Sequence, residues 1–211
     1  MRICEIFYSL QGESSFAGYP FIFIRTSGCP LHCTYCDSDY AREEGEERTV
    51  DEIISQVRGY GTHPVLVTGG EPLMHKEIHD LIHLLLEEGR TVLLETSGSL
   101  PVEALDPRVI KVLDIKCPGS GEADKTCWSN MNFLNKQDEV KFVICHQEDY
   151  RFACEVGRLY RLTDKCKVLF SAAQGFLQPC ELAAWILRDH LSVRLQIQLH
   201  KFLWPGKPRG V

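Results

Sequence analysis

The apolar residues of this chain fall into short runs, and amphipathic segments lie between most of them. Each run has the length of a buried strand, and together they predict strands over residues 6–10, 21–25, 64–67, 91–94, 109–115, 139–144, 167–170 and 193–199. The intervening segments predict helices over about 75–88, 148–162 and 181–189. Because strands and helices alternate without long polar linkers, the pattern predicts a parallel sheet with right-handed crossovers.

Two local signals mark a further helix and a loop. Residues 49–52, Thr-Val-Asp-Glu, form a capping box and predict a helix with three apolar residues on its inner face: Ile53, Ile54 and Val57. Residues 42–48 are mostly charged, and we predict that they form an exposed loop. The C-terminal end of the helix over 75–88 is marked by Gly89.

The chemically unusual residues follow the predicted strands. They are Cys29, the segment 68–71, Glu95, Lys116 and His200. In α/β barrels the loops at the carboxyl ends of the strands build the active site. A complete eight-unit barrel takes about 250 residues, and this chain has 211. The sequence therefore predicts an α/β fold, an open and truncated TIM-like βα barrel of about six strands, in one domain over residues 1–211.

Composition and charge exclude several classes of function. A hydrophobic content of 44% and a charged content of 25% are typical of a globular domain with a sizeable core. The net charge of −6, without a run of Lys or Arg, argues against a nucleic-acid surface. Residues 1–6 lack the apolar core of a signal peptide, and no apolar run reaches membrane-spanning length. We therefore expect a cytoplasmic protein with ten reduced cysteines, without nucleic-acid or membrane partners.

Three of those cysteines, Cys29, Cys33 and Cys36, lie within eight residues. Thiolates this close in sequence can converge on one metal centre. A structural zinc site normally takes four ligands, whereas an iron–sulfur cube held by three cysteines keeps one iron open. Two alternatives remain: a zinc knuckle with His32 as the fourth ligand, and three unrelated buried thiols. His32 directly precedes Cys33, so both side chains would have to turn toward one ion from adjacent positions, which is unfavourable.

The spacing Cys29-x3-Cys33-x2-Cys36 resembles the signature of the radical S-adenosylmethionine (SAM) superfamily. The resemblance implies a [4Fe-4S] cluster whose open iron chelates SAM, and a 5′-deoxyadenosyl radical that abstracts a substrate hydrogen. It also implies that Tyr35 forms a wall for the adenine. Residues 68–72, Thr-Gly-Gly-Glu-Pro, resemble the motif that holds the methionine amino group of SAM, with Glu71 as an acceptor for an ammonium. The alternative for this segment is a tight turn.

Three polar residues near the N-terminus form a possible recognition set. Gln11 offers donors and an acceptor, Glu13 offers acceptors, and Arg25 offers a bidentate fork. Together they could bind a polar heterocycle that carries a carboxylate. A charged hydrogen bond from Arg25 would contribute roughly 1.5–3 kcal/mol. The alternative is a surface turn and a salt-bridged arginine.

The combination of motifs resembles the 7-carboxy-7-deazaguanine synthase family over residues 8–204. The motifs are Leu-Gln-Gly-Glu, an Arg before Gly-Cys, Cys-Asp-Ser, Thr-Gly-Gly-Glu-Pro, Glu-Thr-Ser-Gly and a C-terminal Leu-His-Lys. The resemblance implies conversion of 6-carboxy-5,6,7,8-tetrahydropterin into 7-carboxy-7-deazaguanine with loss of ammonia, in queuosine and other 7-deazapurine pathways. It further implies a Mg²⁺-dependent ring contraction that regenerates SAM, a homodimer, and a flavodoxin or ferredoxin-type electron donor.

The resemblance also assigns residues to each part of the site. The cluster ligands are Cys29, Cys33 and Cys36, and Ser38 takes the position of a magnesium ligand. Catalytic work falls to these cysteines and to Glu95. The substrate-side positions are Leu10, Gln11, Gly12, Glu13, Arg25, Thr68, Glu95 and His200, and the SAM-side positions are Tyr35, Cys36, Asp37, Gly70, Glu71, Ser97 and Lys116.

Three of these assignments have a plainer alternative. Glu95 could be a salt-bridged strand end, His200 a structural histidine and Ser38 a helix N-cap. The chain also departs from the family pattern at Ser14, where many members have Gly, and at residues 114–116, Asp-Ile-Lys, where many have Ser-Pro-Lys. The competing functions are a glycyl-radical-enzyme activating enzyme and a non-catalytic zinc or iron–sulfur binding module.

Overall fold

The computed structural model describes residues 1–207 and 209–211, and nine strands form one sheet within them. The strands are β1 (Arg2–Leu10), β2 (Pro20–Thr26), β3 (Glu46–Glu47), β4 (Val65–Gly69), β5 (Val92–Thr96), β6 (Ile110–Ile115), β7 (Glu139–Ile144), β8 (Lys167–Ala172) and β9 (Arg194–Gln196). Their order is β3-β1-β2-β4-β5-β6-β7-β8-β9. β1 is antiparallel to β2 and β3, and every pair from β2 to β9 is parallel.

The order of strands confirms the prediction of an open, partial βα barrel. β3 and β9 stand at opposite ends of the sheet, so the described strands do not close into a ring. The parallel part contains seven strands, one more than the estimate from chain length, because β9 adds a short strand after β8.

Within the described residues, six helices connect or follow these strands, together with short 3-10 turns. They are α1 (Val50–Gly59), α2 (Ile78–Glu87), α3 (Gln147–Leu159), α4 (Leu162–Lys165), α5 (Pro179–Arg188) and α6 (Leu199–Leu203). The predicted capping box is present at α1, where the Glu52 backbone N–H donates to the Thr49 hydroxyl and the Thr49 N–H donates to the Glu52 carboxylate at 2.8 Å. Among the described residues, no helix combines the length and apolar character that a membrane crossing needs.

Two stretches differ from the sequence prediction. Residues 42–48 are not wholly a loop, because β3 forms within them and pairs with β1. The last strand ends at Gln196 rather than at residue 199, so His200 lies on α6 and does not directly follow a strand. The start of α6 is fixed from a distance, since the Leu199 N–H donates to the Gly12 carbonyl at 2.9 Å. The hydrogen bond between Leu199 and Gly12 could not be predicted from the local sequence.

The two faces of the sheet carry two separate apolar clusters. The larger cluster packs strand residues against α1, α2, α3 and α5. The smaller one lies on the opposite face and consists of Phe21, Phe23, Leu66, Leu93 and Val112. Successive strand residues point to opposite faces, so the next positions on the smaller cluster's face are polar: Arg25, Thr68, Glu95 and Asp114. A polar layer therefore lies above an apolar floor, toward the carboxyl ends of the parallel strands.

Candidate active site

A cavity of about 480 Å³ lies over this polar layer. Its volume is in the range of small-molecule sites. The predicted site residues line it with two exceptions, Leu10 and Glu71. Residues separated by most of the chain length therefore meet at one place, as the parallel sheet predicted.

The cysteine loop forms one wall of the cavity, which Cys29, Cys33 and Cys36 all line. The loop is tied to its neighbours through backbone hydrogen bonds, from Glu71 N to Gly28 O at 2.7 Å and from Thr34 N to Ser120 O at 3.1 Å. These bonds fix the loop against the segments that follow β4 and β6.

A glycine is required at position 70 for this packing. A Cβ atom added to Gly70 would lie 2.0 Å from the Gly28 carbonyl oxygen and 3.1 Å from the Cys29 Cβ. The first contact is far closer than these atoms can approach and is with the backbone, and the second is tight enough that Cys29 would have to shift. The Gly-Gly pair therefore lets the loop after β4 lie directly against the cysteine loop.

The three motif cysteines share one wall of the cavity, and all ten cysteines of the chain are free thiols. Among the described residues, no three His, Cys, Asp or Glu side chains are grouped closely enough to hold one metal ion. Cysteine thiolates are the ligands of a [4Fe-4S] cluster, so this wall carries a suitable donor set. His32 does not line the cavity, and its ring nitrogen faces Arg42. The zinc-knuckle alternative therefore has no support from this geometry.

Ser38 also lines the cavity, next to the cysteine wall. It precedes the 3-10 turn Asp39–Arg42, the position of an N-cap, but its side chain makes no capping hydrogen bond. The capping alternative for Ser38 is therefore not supported, and its hydroxyl remains available on the cavity wall.

Glu71 is fully buried and makes its hydrogen bonds inside the protein. Its carboxylate accepts from Leu73 N at 3.1 Å, Thr96 Oγ1 at 2.8 Å, Ser97 N at 2.8 Å and Ser97 Oγ at 2.6 Å. These bonds join the loop after β4 to the loop after β5, the two segments that carry Gly70 and Ser97. Direct contact between Glu71 and the ammonium of a ligand stays a prediction.

Arg25 is held by a carboxylate from the neighbouring strand. Its Nε donates to Glu5 Oε1 at 2.8 Å, and the Tyr40 hydroxyl donates to the same oxygen at 2.9 Å. Within residues 1–207 and 209–211, the structure records no partner for the two terminal nitrogens of Arg25. The guanidinium is therefore oriented through one edge, and its terminal nitrogens keep their donors.

Five charged residues that line the cavity form one group, which we call the Lys141 cluster: Lys141, Glu13, Glu95, Asp114 and Lys116. Lys141 and Asp114 are buried, and the other three are half-buried. The Lys141 Nζ lies 2.7 Å from Glu13 Oε2, 2.5 Å from Glu95 Oε1 and 3.1 Å from Asp114 Oδ2. The Lys116 Nζ lies 3.1 Å from the same Asp114 oxygen. The other Asp114 oxygen, Oδ1, is buried without a hydrogen-bond partner among the described residues.

Within the Lys141 cluster, the pKa values of Glu95 and Glu13 are shifted in opposite directions. Burial raises the pKa of Glu95, and the ammonium of Lys141 does not fully offset it. Burial also opposes ionisation of Glu13, but there Lys141 outweighs it and the pKa is lowered. Burial would lower the pKa of Lys141, yet the three carboxylates raise it well above its usual value. Carboxyl groups whose pKa values are pushed apart are typical of acid–base sites.

The C-terminal helix α6 and the residues around it close the cavity on the side of Glu13. The Gln198 amide donates to Glu13 Oε1 at 2.8 Å and to Asp37 Oδ2 at 3.0 Å. The His200 ring packs against Gly12, where an added Cβ would lie 2.1 Å from Nδ1. Burial lowers the pKa of His200, which favours the neutral imidazole.

Sequence reasoning missed several residues of this site. Lys141 lies between Val140 and Phe142 in β7, and a charge at an inward position between apolar residues was the available signal. Asp114 was noted only as a departure from a family pattern. Gln198 and Tyr40 carry no comparable signal, because only the packing of α6 and of the cysteine loop brings them to the cavity.

The chain is similar to known proteins both in sequence and in structure. Residues 23–114 match the family model of the radical SAM superfamily. A 7-carboxy-7-deazaguanine synthase from Chlorobaculum tepidum is 44% identical over 100% of this chain and 97% of the relative. One from Koribacter versatilis is 40% identical over 100% of both chains. The crystal structure of QueE from Escherichia coli superposes with a TM-score of 0.79 at 23% identity over 94% of each chain, a similarity of fold. With relatives this similar over their whole length, the chain belongs to the 7-carboxy-7-deazaguanine synthase family of the radical SAM superfamily.

Proposed function

We propose that this protein converts 6-carboxy-5,6,7,8-tetrahydropterin into 7-carboxy-7-deazaguanine with release of ammonia. The observation that carries the proposal is the shared cavity, which is lined both by three free cysteines and by a paired set of carboxylates and cations. A cavity of about 480 Å³ is suited to a small polar heterocycle beside SAM. Release of ammonia without net oxidation is consistent with SAM acting catalytically rather than as a consumed reagent.

The cysteine wall is the proposed cofactor side. Cys29, Cys33 and Cys36 would hold a [4Fe-4S] cluster, which together with SAM would supply a 5′-deoxyadenosyl radical for hydrogen abstraction. The residues that we propose for SAM binding come from the loops around this wall: Tyr35, Asp37, Gly70, Ser97 and Lys116. Glu71 supports them through its hydrogen bonds to Ser97.

The opposite wall is the proposed substrate side. Arg25 binds the substrate carboxylate through its terminal nitrogens, while Glu5 fixes the orientation of the guanidinium. Gln11 and Glu13 bind the donors and acceptors of the pterin edge, and Thr68 and neutral His200 complete the wall. Glu95 is the proposed proton-exchanging group, because its raised pKa brings it nearer to neutral pH.

Ser38 is the proposed protein ligand of Mg²⁺. A hydroxyl is a suitable ligand for this cation, which keeps several waters and binds substrate oxygens directly. Ser38 lines the cavity and its side chain makes no capping hydrogen bond, which supports the proposal. The ion would neutralise charge on the substrate carboxylate and restrict its orientation.

We further propose that the enzyme is a cytoplasmic homodimer of single-domain subunits that receives electrons from a flavodoxin or ferredoxin-type donor. The ten free thiols are in keeping with a reducing compartment. The electron donor is required because the cluster must be reduced before the enzyme can begin turnover.

The test is an anaerobic assay of the reconstituted protein with 6-carboxytetrahydropterin, SAM, Mg²⁺ and dithionite. We expect 7-carboxy-7-deazaguanine and ammonia in equal amounts, with many turnovers per SAM. Cys33→Ala is the inactive control, and Cys154→Ala, which changes a thiol outside the cavity, is the active one. A colourless zinc protein would favour a binding module. SAM cleavage that occurs without any change in the pterin would favour an activating enzyme, and either result would overturn the proposal.

A further inference from the structure

The Lys141 ammonium is held by protein carboxylates. Its Nζ donates to Glu13 at 2.7 Å and to Glu95 at 2.5 Å, and it forms an ion pair with Asp114 at 3.1 Å. Two of its three N–H donors are therefore used on these two glutamates. The position of the ammonium is tied to the three carboxylates around it.

Two of those carboxylates, Glu13 and Glu95, belong to the proposed substrate wall and come from distant parts of the sheet. Glu13 follows β1, and Glu95 lies near the end of β5. Lys141 reaches both of them from β7, across β6. The ammonium therefore sets the distance between two acidic groups that share no other hydrogen-bond partner among the described residues.

The acceptor sites that remain on the two carboxylates are few and well defined. An ionised carboxylate offers about four acceptor sites. Glu13 accepts from Lys141, Gln196 and Gln198, so about one site is left. Glu95 accepts from Lys141 and Thr68, so about two are left. Such a pair suits a ring edge that carries several N–H donors.

We propose that Lys141 is a positioning residue for the substrate, which holds Glu13 and Glu95 side by side so that their remaining acceptor sites meet the N–H groups of the pterin ring. The inference rests on the proposed function, because it takes the pterin as the ligand. It assigns no contact between Lys141 and the substrate itself.

Lys111 provides a matched control for the burial of an ammonium. It lies on the neighbouring strand β6, is 4% exposed, and pairs with the buried Asp138 at 3.0 Å. Unlike Lys141, which is 5% exposed, it does not line the cavity. Lys111→Met should therefore lower stability through the same physical cause, an unpaired buried carboxylate, without touching the substrate wall.

A charge-balanced variant separates positioning from simple neutralisation. The Lys141 cluster has three carboxylates against two ammonium groups, a balance of −1 when all are ionised. Lys141→Met alone leaves three against one, a balance of −2. The double variant Lys141→Met/Asp114→Asn leaves two against one and restores −1, while it keeps both Glu13 and Glu95. The double variant can also be tested if Lys141→Met alone does not fold.

The experiment measures binding of 6-carboxytetrahydropterin by calorimetry to the reconstituted, SAM-loaded enzyme without reductant, so that no turnover occurs. We expect the Kd for the pterin to rise at least tenfold in Lys141→Met and in the charge-balanced variant. In Lys141→Met, the Kd for SAM and the iron content should stay within about twofold of wild type. Lys111→Met should bind the pterin as wild type does. Recovery of pterin affinity in the charge-balanced variant, or equal loss in Lys111→Met, would overturn the inference.

The two levels of proposal fail in different ways. If wild-type protein neither binds nor converts the pterin, the proposed function fails. If wild type does both and the Lys141 variants bind the pterin equally well, the function stands and only the role of Lys141 is refuted.

Discussion

Glu71→Gln tests whether the glutamate of the Thr-Gly-Gly-Glu-Pro motif supports the site from inside the protein. Each carboxylate oxygen of Glu71 accepts from one backbone N–H, Oε1 from Leu73 and Oε2 from Ser97. Backbone donors cannot turn away, whereas a glutamine has only one acceptor oxygen. In either orientation of the amide, one buried N–H must face another donor.

The size of the effect follows from these bonds. A buried N–H left without an acceptor costs about 1–3 kcal/mol. The hydrogen bonds that remain also lose the contribution of the charge, since bonds to an ionised acceptor are worth about 1.5–3 kcal/mol and neutral ones about 1 kcal/mol. We expect a total destabilisation of about 3 kcal/mol. For a chain of this size, Tm falls by about 2–4 °C per kcal/mol, which gives a decrease of about 6–12 °C.

The assay is anaerobic thermal unfolding followed by circular dichroism, with SAM binding measured well below Tm. The matched control is Glu52→Gln, whose carboxylate also accepts from a backbone N–H but at an exposed helix start, where water can replace it. That control should leave Tm almost unchanged. If Glu71→Gln kept the wild-type Tm while SAM affinity fell tenfold or more, Glu71 would be a direct ligand of SAM and the reasoning would be wrong.

Four further outcomes are expected. Ala at any motif cysteine should remove the brown chromophore and the bound iron, as measured by absorbance and iron assay, whereas two thiols outside the cavity should be dispensable: Cys127 and Cys154. Gly70→Ala should impair cluster assembly in the same assays, because its Cβ would collide with the Gly28 carbonyl. Arg25→Lys should raise KM for the pterin, since the fork is lost, while SAM cleavage without substrate persists; an unchanged KM would make Arg25 structural. Ser38→Ala should reduce Mg²⁺ stimulation and turnover in a metal titration and leave Tm nearly unchanged, because no capping bond is lost; a lower Tm with an unchanged Mg²⁺ response would argue against the metal assignment.

Much of the fold was readable from the sequence because its signals are local. The apolar run over residues 139–144 coincides with β7, and the Thr49–Glu52 capping box marks the start of α1. Both depend on neighbours within four residues, where hydrophobic periodicity and capping act directly on the backbone. The cysteine spacing belongs to the same category, since three thiols within eight residues must share one short segment of the chain.

The sequence predicted which residues would lie near one another in the site, because the ends of the strands of a parallel sheet converge. It did not predict which side chains would contact one another. The sequence indicated that Glu13, Arg25 and Glu95 would lie near the cysteine loop, and they line the same cavity. It gave no means to tell that Glu71 would direct its carboxylate into the protein. That depended on where the Thr96 and Ser97 donors lie, 25 and 26 residues away.

The sequence by itself determined the alternating elements, the cysteine loop and the set of polar residues at the strand ends, because each of these follows from spacing over a few positions. Only the tertiary structure decided which charges meet. Lys141 lies 128 residues from Glu13 and 46 from Glu95, and Gln198 lies 185 from Glu13. These contacts are set by strand register and by the seating of α6 on Gly12, so the neighbours that tune each carboxyl group exist only once the sheet has assembled.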